Sequence, residues 1–214
     1  MDNYVLPTKP KPSEKYLELI EAYKHLHKEE GKFQGISIVP FVVDLYSIIQ
    51  YNKCKSLLDY GCGKAVGYTQ NFKNIDPKKK IPNFNVPLHT YWGIEDLSLY
   101  DPGTLEYPTL PSKKADIVLC TDVLEHIPEE DLDWLIREIC SLANTTVFLN
   151  ISCQLAKKTF TTGKYKGENV HVSVFDHAWW VDKIKTIHKD YKELKIYLTC
   201  TSKEGILGTC IKGD

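Results

Sequence analysis

Two hydrophobic periods take turns along the chain, and the switch between them lays out the fold. Near the N-terminus, Tyr16, Ile20, Tyr23 and Leu26 recur at helical spacing, with Ser13 placed to cap the turn before them. Phe41, Val42, Leu45, Ile48 and Ile49 draw a second apolar stripe just after Pro40, a residue suited to a helix's first turn. Residues 1–12 hold Pro7, Pro10 and Pro12 without periodicity and read as an extended arm. From Ser56 the pattern becomes strand, loop, helix, repeated. Ser56–Tyr60, Leu97–Tyr100, Ala115–Cys120 and Thr145–Ile151 are short apolar runs of strand type. Helices are expected from about Ala65 to Phe72, from Pro128 through the stripe Leu132, Leu135, Ile136 and Ile139, and from about His177 to His188. Residues 73–90, with Pro77, Pro82, Pro87 and the run Lys78-Lys79-Lys80, read as a long irregular loop whose lysines face solvent. Leu194–Thr201 and Ile206–Ile211, joined by Ser202-Lys203-Glu204-Gly205, read as a closing hairpin. Strands alternating with helices imply an α/β chain with a largely parallel sheet, and the hairpin adds an antiparallel edge.

Charge and composition narrow the function classes. The formal net charge is −1, without the basic footprint that broad nucleic-acid binding needs; a local basic patch remains compatible with it. The 7 cysteines are odd in number and irregular in spacing, as expected of reduced thiols in a cytosolic protein. Met1-Asp2-Asn3 opens polar with no apolar run behind it, so a secretory leader is not expected. No run is long enough to span a membrane.

The chemistry concentrates at Leu57-Leu58-Asp59-Tyr60-Gly61-Cys62-Gly63. A strand ending in an acid and followed by Gly-x-Gly opens the first βα unit, where glycines let backbone approach a ligand. A dinucleotide would want a third glycine where Val66 stands, and Asp59 would repel its pyrophosphate. S-adenosylmethionine carries cationic amino and sulfonium groups and suits a carboxylate. A tight structural turn is the bland alternative.

These seven residues resemble the first motif of class I S-adenosylmethionine-dependent methyltransferases, hydrophobic-hydrophobic-Asp-x-Gly-x-Gly, with Ala65 where the family usually has a further glycine. Cys120-Thr121-Asp122-Val123-Leu124-Glu125-His126-Ile127-Pro128 resembles the segment after the family's fourth strand in many small-molecule methyltransferases. The stretch Gly31-Lys32-Phe33-Gln34-Gly35-x-Ser37 is similar to bacterial and phage-encoded members. The resemblance implies a Rossmann-like, doubly wound, mostly parallel sheet of about seven strands with a C-terminal antiparallel hairpin and two N-terminal helices. Residues 1–54 would form an arm and helical cap, and residues 55–214 the donor-binding domain. Asp59, Gly61, Cys62 and Gly63 would hold the methionine part of the donor, and Asp122 and Val123 its methyl side. An acid ending the second strand would bind the ribose hydroxyls; Asp101 is chosen, with Glu95 in reserve. Adenine contacts are expected near Tyr107 to Leu110. The implied location is the cytoplasm of a bacterium or phage-infected host, and the implied acceptor is a small molecule or sugar-like group rather than nucleic acid.

His126 and His171 are the candidate general bases, because imidazole titrates near neutral pH. Asp122, Glu125 and His126 share one helical turn's spacing, and with His171 they resemble the metal site of small-RNA ribose methyltransferases. The preferred reading is metal-free. A metal-assisted ribose 2′-O-methyltransferase and a non-catalytic module that binds the same nucleoside are the alternatives. Either histidine could instead simply satisfy backbone groups.

Overall fold

A computed structural model describes residues 11–29, 31–71 and 85–213. The arm's first ten residues and the Lys78-Lys79-Lys80 run lie outside them. The chain runs α1 (Glu14–His27), α2 (Val42–Asn52), β1 (Ser56–Tyr60), α3 (Val66–Thr69), α4 (Leu88–Trp92), β2 (Asp96–Tyr100), β3 (Ala115–Thr121), α5 (Glu129–Ser141), β4 (Ala143–Ser152), α6 (His177–His188), β5 (Lys195–Ser202) and β6 (Gly205–Ile211). Single turns of 3-10 helix precede α2 (Val39–Phe41) and follow β3 (Leu124–His126).

The strands form one sheet in the order β2-β1-β3-β4-β5-β6, parallel except for the β5–β6 hairpin. This is the α/β, mostly parallel sheet that the periodicity predicts, with its antiparallel edge. The expected count of about seven strands is corrected to six among the described residues. Each of the six strand-type runs in the sequence becomes a strand, and the described stretch between β2 and β3 folds into turns anchored on Asp101 rather than supplying another.

Alternation along the strands divides the core into two layers. Leu57, Ile117, Leu119 and Phe148 point to one face, where Val42, Leu45 and Ile49 of α2 and Trp92 of α4 cover them. Leu58, Val118, Cys120, Val147 and Leu149 point to the other, under Leu132, Leu135, Ile136 and Ile139 of α5 and Ile184 and Ile187 of α6. Helices therefore cover both faces of the sheet, as a parallel sheet requires. Two departures from the sequence reading are local. The helix expected to reach Phe72 is a single turn ending at Thr69, and α4 forms inside the stretch read as irregular, because Leu88 and Trp92 are fully buried.

Ser13 caps α1 as its spacing predicts, accepting Tyr16 N–H at 3.0 Å. Asp131 in the first turn of α5 in turn accepts Ser13 N–H (2.9 Å) and Ser13 Oγ–H (2.5 Å). The start of α1 is thus clasped to α5, and the helix crosses the carboxyl ends of the strands. β1 has β2 on one side and β3 on the other, so the chain changes direction there. A crevice opens beyond the strand tips at such a switch point, which is where ligands bind open parallel sheets.

Candidate functional site

The crevice is a cavity with a floor of strand tips and a roof of helix. Asp59, Gly61, Cys62 and Gly63 come from the end of β1, Asp101 and Gly103 from the end of β2, and Thr121, Asp122 and Val123 from the end of β3. Tyr16, Leu19, Ile20, Tyr23 and His27 of α1 form the roof, and Phe33, Gly35 and Ser37 close one side. Of the residues named from the sequence, Asp59, Gly61, Cys62, Gly63, Asp101, Asp122, Val123 and His126 all line this cavity; His171 does not.

Asp59 is the cavity's most demanding group. It is 2 % exposed, and its Oδ1 finds no hydrogen-bond partner among the described residues. Burial lifts its pKa to about 7; the neighbouring Tyr68 hydroxyl pulls it down and the Asp101 charge pushes it further up. A buried carboxylate with an unsatisfied oxygen is costly, and a cation in the cavity would reduce that cost.

The glycine loop is built around its neighbours. A Cβ on Gly61 would come within 2.3 Å of Val123 Cγ2, and one on Gly63 within 2.4 Å of the Phe33 carbonyl. Both glycines have positive φ, 89° and 56°. Ala65 also sits left-handed at φ 52°, in the conformation a glycine would hold without strain. Every amide from residue 61 to 66 already has an acceptor inside the protein. Gly61 and Cys62 N–H donate to Tyr100 O, Gly63 N–H to Asp101 Oδ2, Lys64 N–H to Phe33 O, Ala65 N–H to Cys62 O and Val66 N–H to Gln34 O. Nothing in this loop is left to cradle a pyrophosphate, and α3 is a single turn.

Asp101 accepts one amide on each oxygen, Gly63 N–H at 2.9 Å and Gly103 N–H at 2.7 Å. A carboxylate oxygen can accept a second bond, so Asp101 keeps capacity for a ligand hydroxyl while being fixed in place. Glu95, the reserve choice, instead pairs with Lys55 at the surface (2.8 Å). Tyr107 to Leu110 do not border the cavity; Tyr107 O accepts Asp101 N–H at 2.8 Å. The sequence reading missed His27 and Phe33. Their rings stack at 4.4 Å on the cavity wall, and His27 Nδ1 is buried without a partner. Position 27 continues the Tyr16, Ile20, Tyr23 face of α1, and that periodicity is the signal that could have found it.

Beyond Asp122 a second, open groove begins, lined by Ser37, Asp122, His126, Gln154, Lys157, Lys158, Val170, His171 and Lys203 among others. His126 borders both spaces. Its Nδ1 lies 2.9 Å from Val170 O and 2.8 Å from Tyr23 Oη. A carbonyl can only accept, so Nδ1 carries the proton and Nε2 presents a lone pair. At His171, too, Nδ1 carries a proton, facing Gln154 O at 2.6 Å. The two rings meet edge to face at 4.7 Å. Burial pushes the His126 pKa down to about 4, against the pull of Asp122, so it is neutral at physiological pH.

Asp122 adopts φ 61°, uncommon for a residue with a side chain, and accepts Ser37 Oγ–H at 2.9 Å. Desolvation pushes its carboxyl up, but Glu125, the two imidazoles and Ser37 outweigh it, and its pKa falls below the ordinary value. Glu125 is the reverse case. It is fully buried, accepts Ser152 N–H at 2.7 Å through Oε1, and leaves Oε2 without a partner. Burial and the Asp122 charge hold it protonated, well above the usual carboxyl range. Its backbone carbonyl also accepts Val172 N–H (2.9 Å) and Ser173 N–H (3.0 Å), fixing the loop that delivers His171. Asp122, Glu125 and His171 each bring one ligand atom to within 4.8 Å of the others, so the group the sequence assembled around His126 converges on His171 instead.

Trp179 and Trp180, at the start of α6, belong to packing. Trp180 is fully buried and Trp179 stacks on Phe175 at 3.8 Å. No helix among the described residues is long and apolar enough to cross a membrane. Compared with known proteins, the chain matches no family model, no curated protein and no solved structure.

Proposed function

We propose that this protein transfers a methyl group from S-adenosylmethionine to an acceptor seated beside His126 and His171. The observation that carries the reading is the Asp59 carboxyl, buried at the topological switch point with its Oδ1 left without a hydrogen-bond partner. The donor's chemistry matches what that carboxyl lacks. A loop whose amides are all engaged disfavours a phosphate-bearing dinucleotide in the same cavity.

When bound, S-adenosylmethionine supplies an electrophilic methyl on a sulfonium, and displacement there depends chiefly on alignment and exclusion of water. Asp59 would hold the cationic amino end, and Asp101 would accept ribose hydroxyls with its remaining lone pairs. Gly61 leaves room for Val123 against the loop, and Val123 shapes the methyl side. Tyr16, Ile20 and Tyr23 of α1 keep water out from above. His126 presents an unprotonated Nε2, and both rings are held by carbonyls behind them. Either can take the proton of a hydroxyl acceptor.

A second reading is favoured by one observation, the convergence of Asp122, Glu125 and His171. These three could hold a divalent cation, which would orient a ribose hydroxyl; Glu125 would have to give up its proton to do so. Calorimetric titration with S-adenosylhomocysteine tests the leading reading. One site per chain is expected, lost in Asp59→Asn and not displaced by NAD; an absence of heat and of any melting shift would sink it. Chelator-sensitive turnover with unchanged donor affinity would move the mechanism to the second.

A further inference from the structure

The groove beyond Asp122 carries a charge pattern that methyl transfer by itself does not require. Lys157 and Lys158 follow the end of β4, and Lys203 forms the β5–β6 turn, so lysines from two neighbouring strand tips flank one opening. Some lysines elsewhere close ion pairs: Lys55 with Glu95, Lys113 with Asp96, Lys164 with Glu18 and Lys183 with Asp133; what sets the groove apart is that three lysines from separate segments converge on one opening. Lys157, Lys158 and Lys203 close no ion pair among the described residues. Lys158 Nζ instead lies 5.4 Å from the centre of the Phe33 ring, at the boundary between groove and cavity. Asp122 is the one carboxylate among the described residues lining the groove, and it sits at the inner end beside the histidines. Leu155, 67 % exposed, and Ile36, 39 % exposed, add apolar surface to the same walls.

Exposed cations converging at a groove mouth, with apolar walls between them and two imidazole rings at the inner end, select a particular shape of ligand. It is anionic at one end, flat or apolar in the middle, and presents a nucleophile at the other. We propose that this groove seats a phosphate-bearing acceptor, its phosphate on Lys157, Lys158 and Lys203 and its reacting group at His126 and His171. The proposal rests on the methyl-transfer reading for the acceptor's fate, but not for the binding itself. A phosphorylated small molecule and the end of a nucleic-acid strand offer the same chemistry. The near-neutral whole-chain charge is compatible with either, because the lysines act locally within a screening length of about 10 Å.

The test uses the full chain and calorimetry with three probes that lack adenine: uridine, uridine 5′-monophosphate and a uridylate tetramer. The monophosphate is expected to bind at least tenfold tighter than uridine. Lys157→Ala/Lys158→Ala/Lys203→Ala should lose that tenfold while keeping its affinity for S-adenosylhomocysteine. A tetramer that binds no tighter than the monophosphate identifies a small phosphorylated acceptor. A much tighter tetramer, with a log-log salt slope of about 2 for three neutralised phosphates, identifies a strand. Equal binding of uridine and its monophosphate, or a triple variant that keeps the monophosphate's advantage, overturns the proposal. If the monophosphate binds but S-adenosylhomocysteine does not, the groove stands as an anion site and the methyl-transfer reading is what fails.

Discussion

The two spaces on either side of Asp122 are built on opposite electrostatic plans. The inner cavity is roofed by α1 and holds two buried carboxyls, Asp59 and Asp101, with no lysine among its described lining. The outer groove is open and holds three unpaired lysines. The inner space therefore gathers carboxyls in a desolvated place, where each interaction is strong, and the outer one presents positive charge where solvent weakens it. On the proposed reading a cationic ligand sits inside and an anionic one outside. His126 borders both, so its position is where the two would meet.

The largest effect that can break this comparison is at Asp59. Asp59→Asn should reduce affinity for S-adenosylhomocysteine by more than a hundredfold, about 3 kcal/mol, which is the scale of a buried ionic partner lost. The same variant should be more stable than the parent without ligand. With a folded pKa of about 7 against 3.8 unfolded, the native state resists ionisation that the unfolded chain accepts freely. Stability is accordingly lost as pH rises from about 4 to 7, by roughly 4 kcal/mol in all at 1.4 per unit. Melting curves at pH 8 should place Asp59→Asn above the parent. A variant that binds the nucleoside normally would end the role assigned to the inner cavity.

On the outer side, His171→Ala and His126→Ala should lower turnover by about a hundredfold, the lower end of acid–base contributions, with donor affinity within twofold of the parent. His126→Ala removes the Tyr23 and Val170 contacts as well, so its melting temperature should fall; His171→Ala loses the Gln154 contact and should fall less. Loss of donor affinity in His171→Ala, measured by calorimetry, would join the two spaces into one and contradict the division.

Gly61→Ala sharpens the inner wall. The added Cβ would lie 2.3 Å from Val123 Cγ2 at a φ of 89°, so both the side chain and the backbone resist it. A loss of about 1–3 kcal/mol in stability is expected by chemical denaturation. Combining it with Val123→Ala should recover the steric part and leave the backbone part. No recovery would mean that the conformation, rather than the Val123 contact, is why a glycine stands there.

The legibility of these two regions in the sequence differs for a physical reason. The inner cavity is assembled from strand tips, and strands announce themselves locally: a short apolar run, an acid, then glycines. Asp59, Asp101 and Asp122 could be placed because each lies within one or two residues of a readable strand end. His27 and Phe33 arrive from outside the sheet, across the molecule; the periodicity of α1 marks the face that carries His27 but not which strand tips it covers. The clasp that puts it there, Ser13 on Asp131, joins residues 118 apart in sequence. Likewise, spacing alone grouped His126 with Glu125. The chain left helical geometry after a single 3-10 turn, and Val170 and Tyr23 then captured the His126 ring. Lys203 was readable only as a hairpin turn, since its partnership with Lys157 and Lys158 comes from the parallel pairing of β4 with β5.

The smallest effect is also the most specific to the inner cavity. Because Asp59 titrates near pH 7 when the cavity is empty, and a cation holds it ionised, binding must expel protons. At pH 7 about half of the molecules carry that proton, so roughly half a proton is released per nucleoside bound. Below pH 7 affinity should fall, approaching tenfold per unit; above pH 8 the Asp59 contribution should be flat. Calorimetry in buffers of different ionisation enthalpy reads the proton directly. Asp59→Asn cannot serve as the control if it no longer binds, whereas the lysine triple variant can, and it should release the same half proton as the parent. The opposite sign, uptake on binding, would mean that the ligand meets a neutral Asp59 and that the cavity's negative charge is not what selects it.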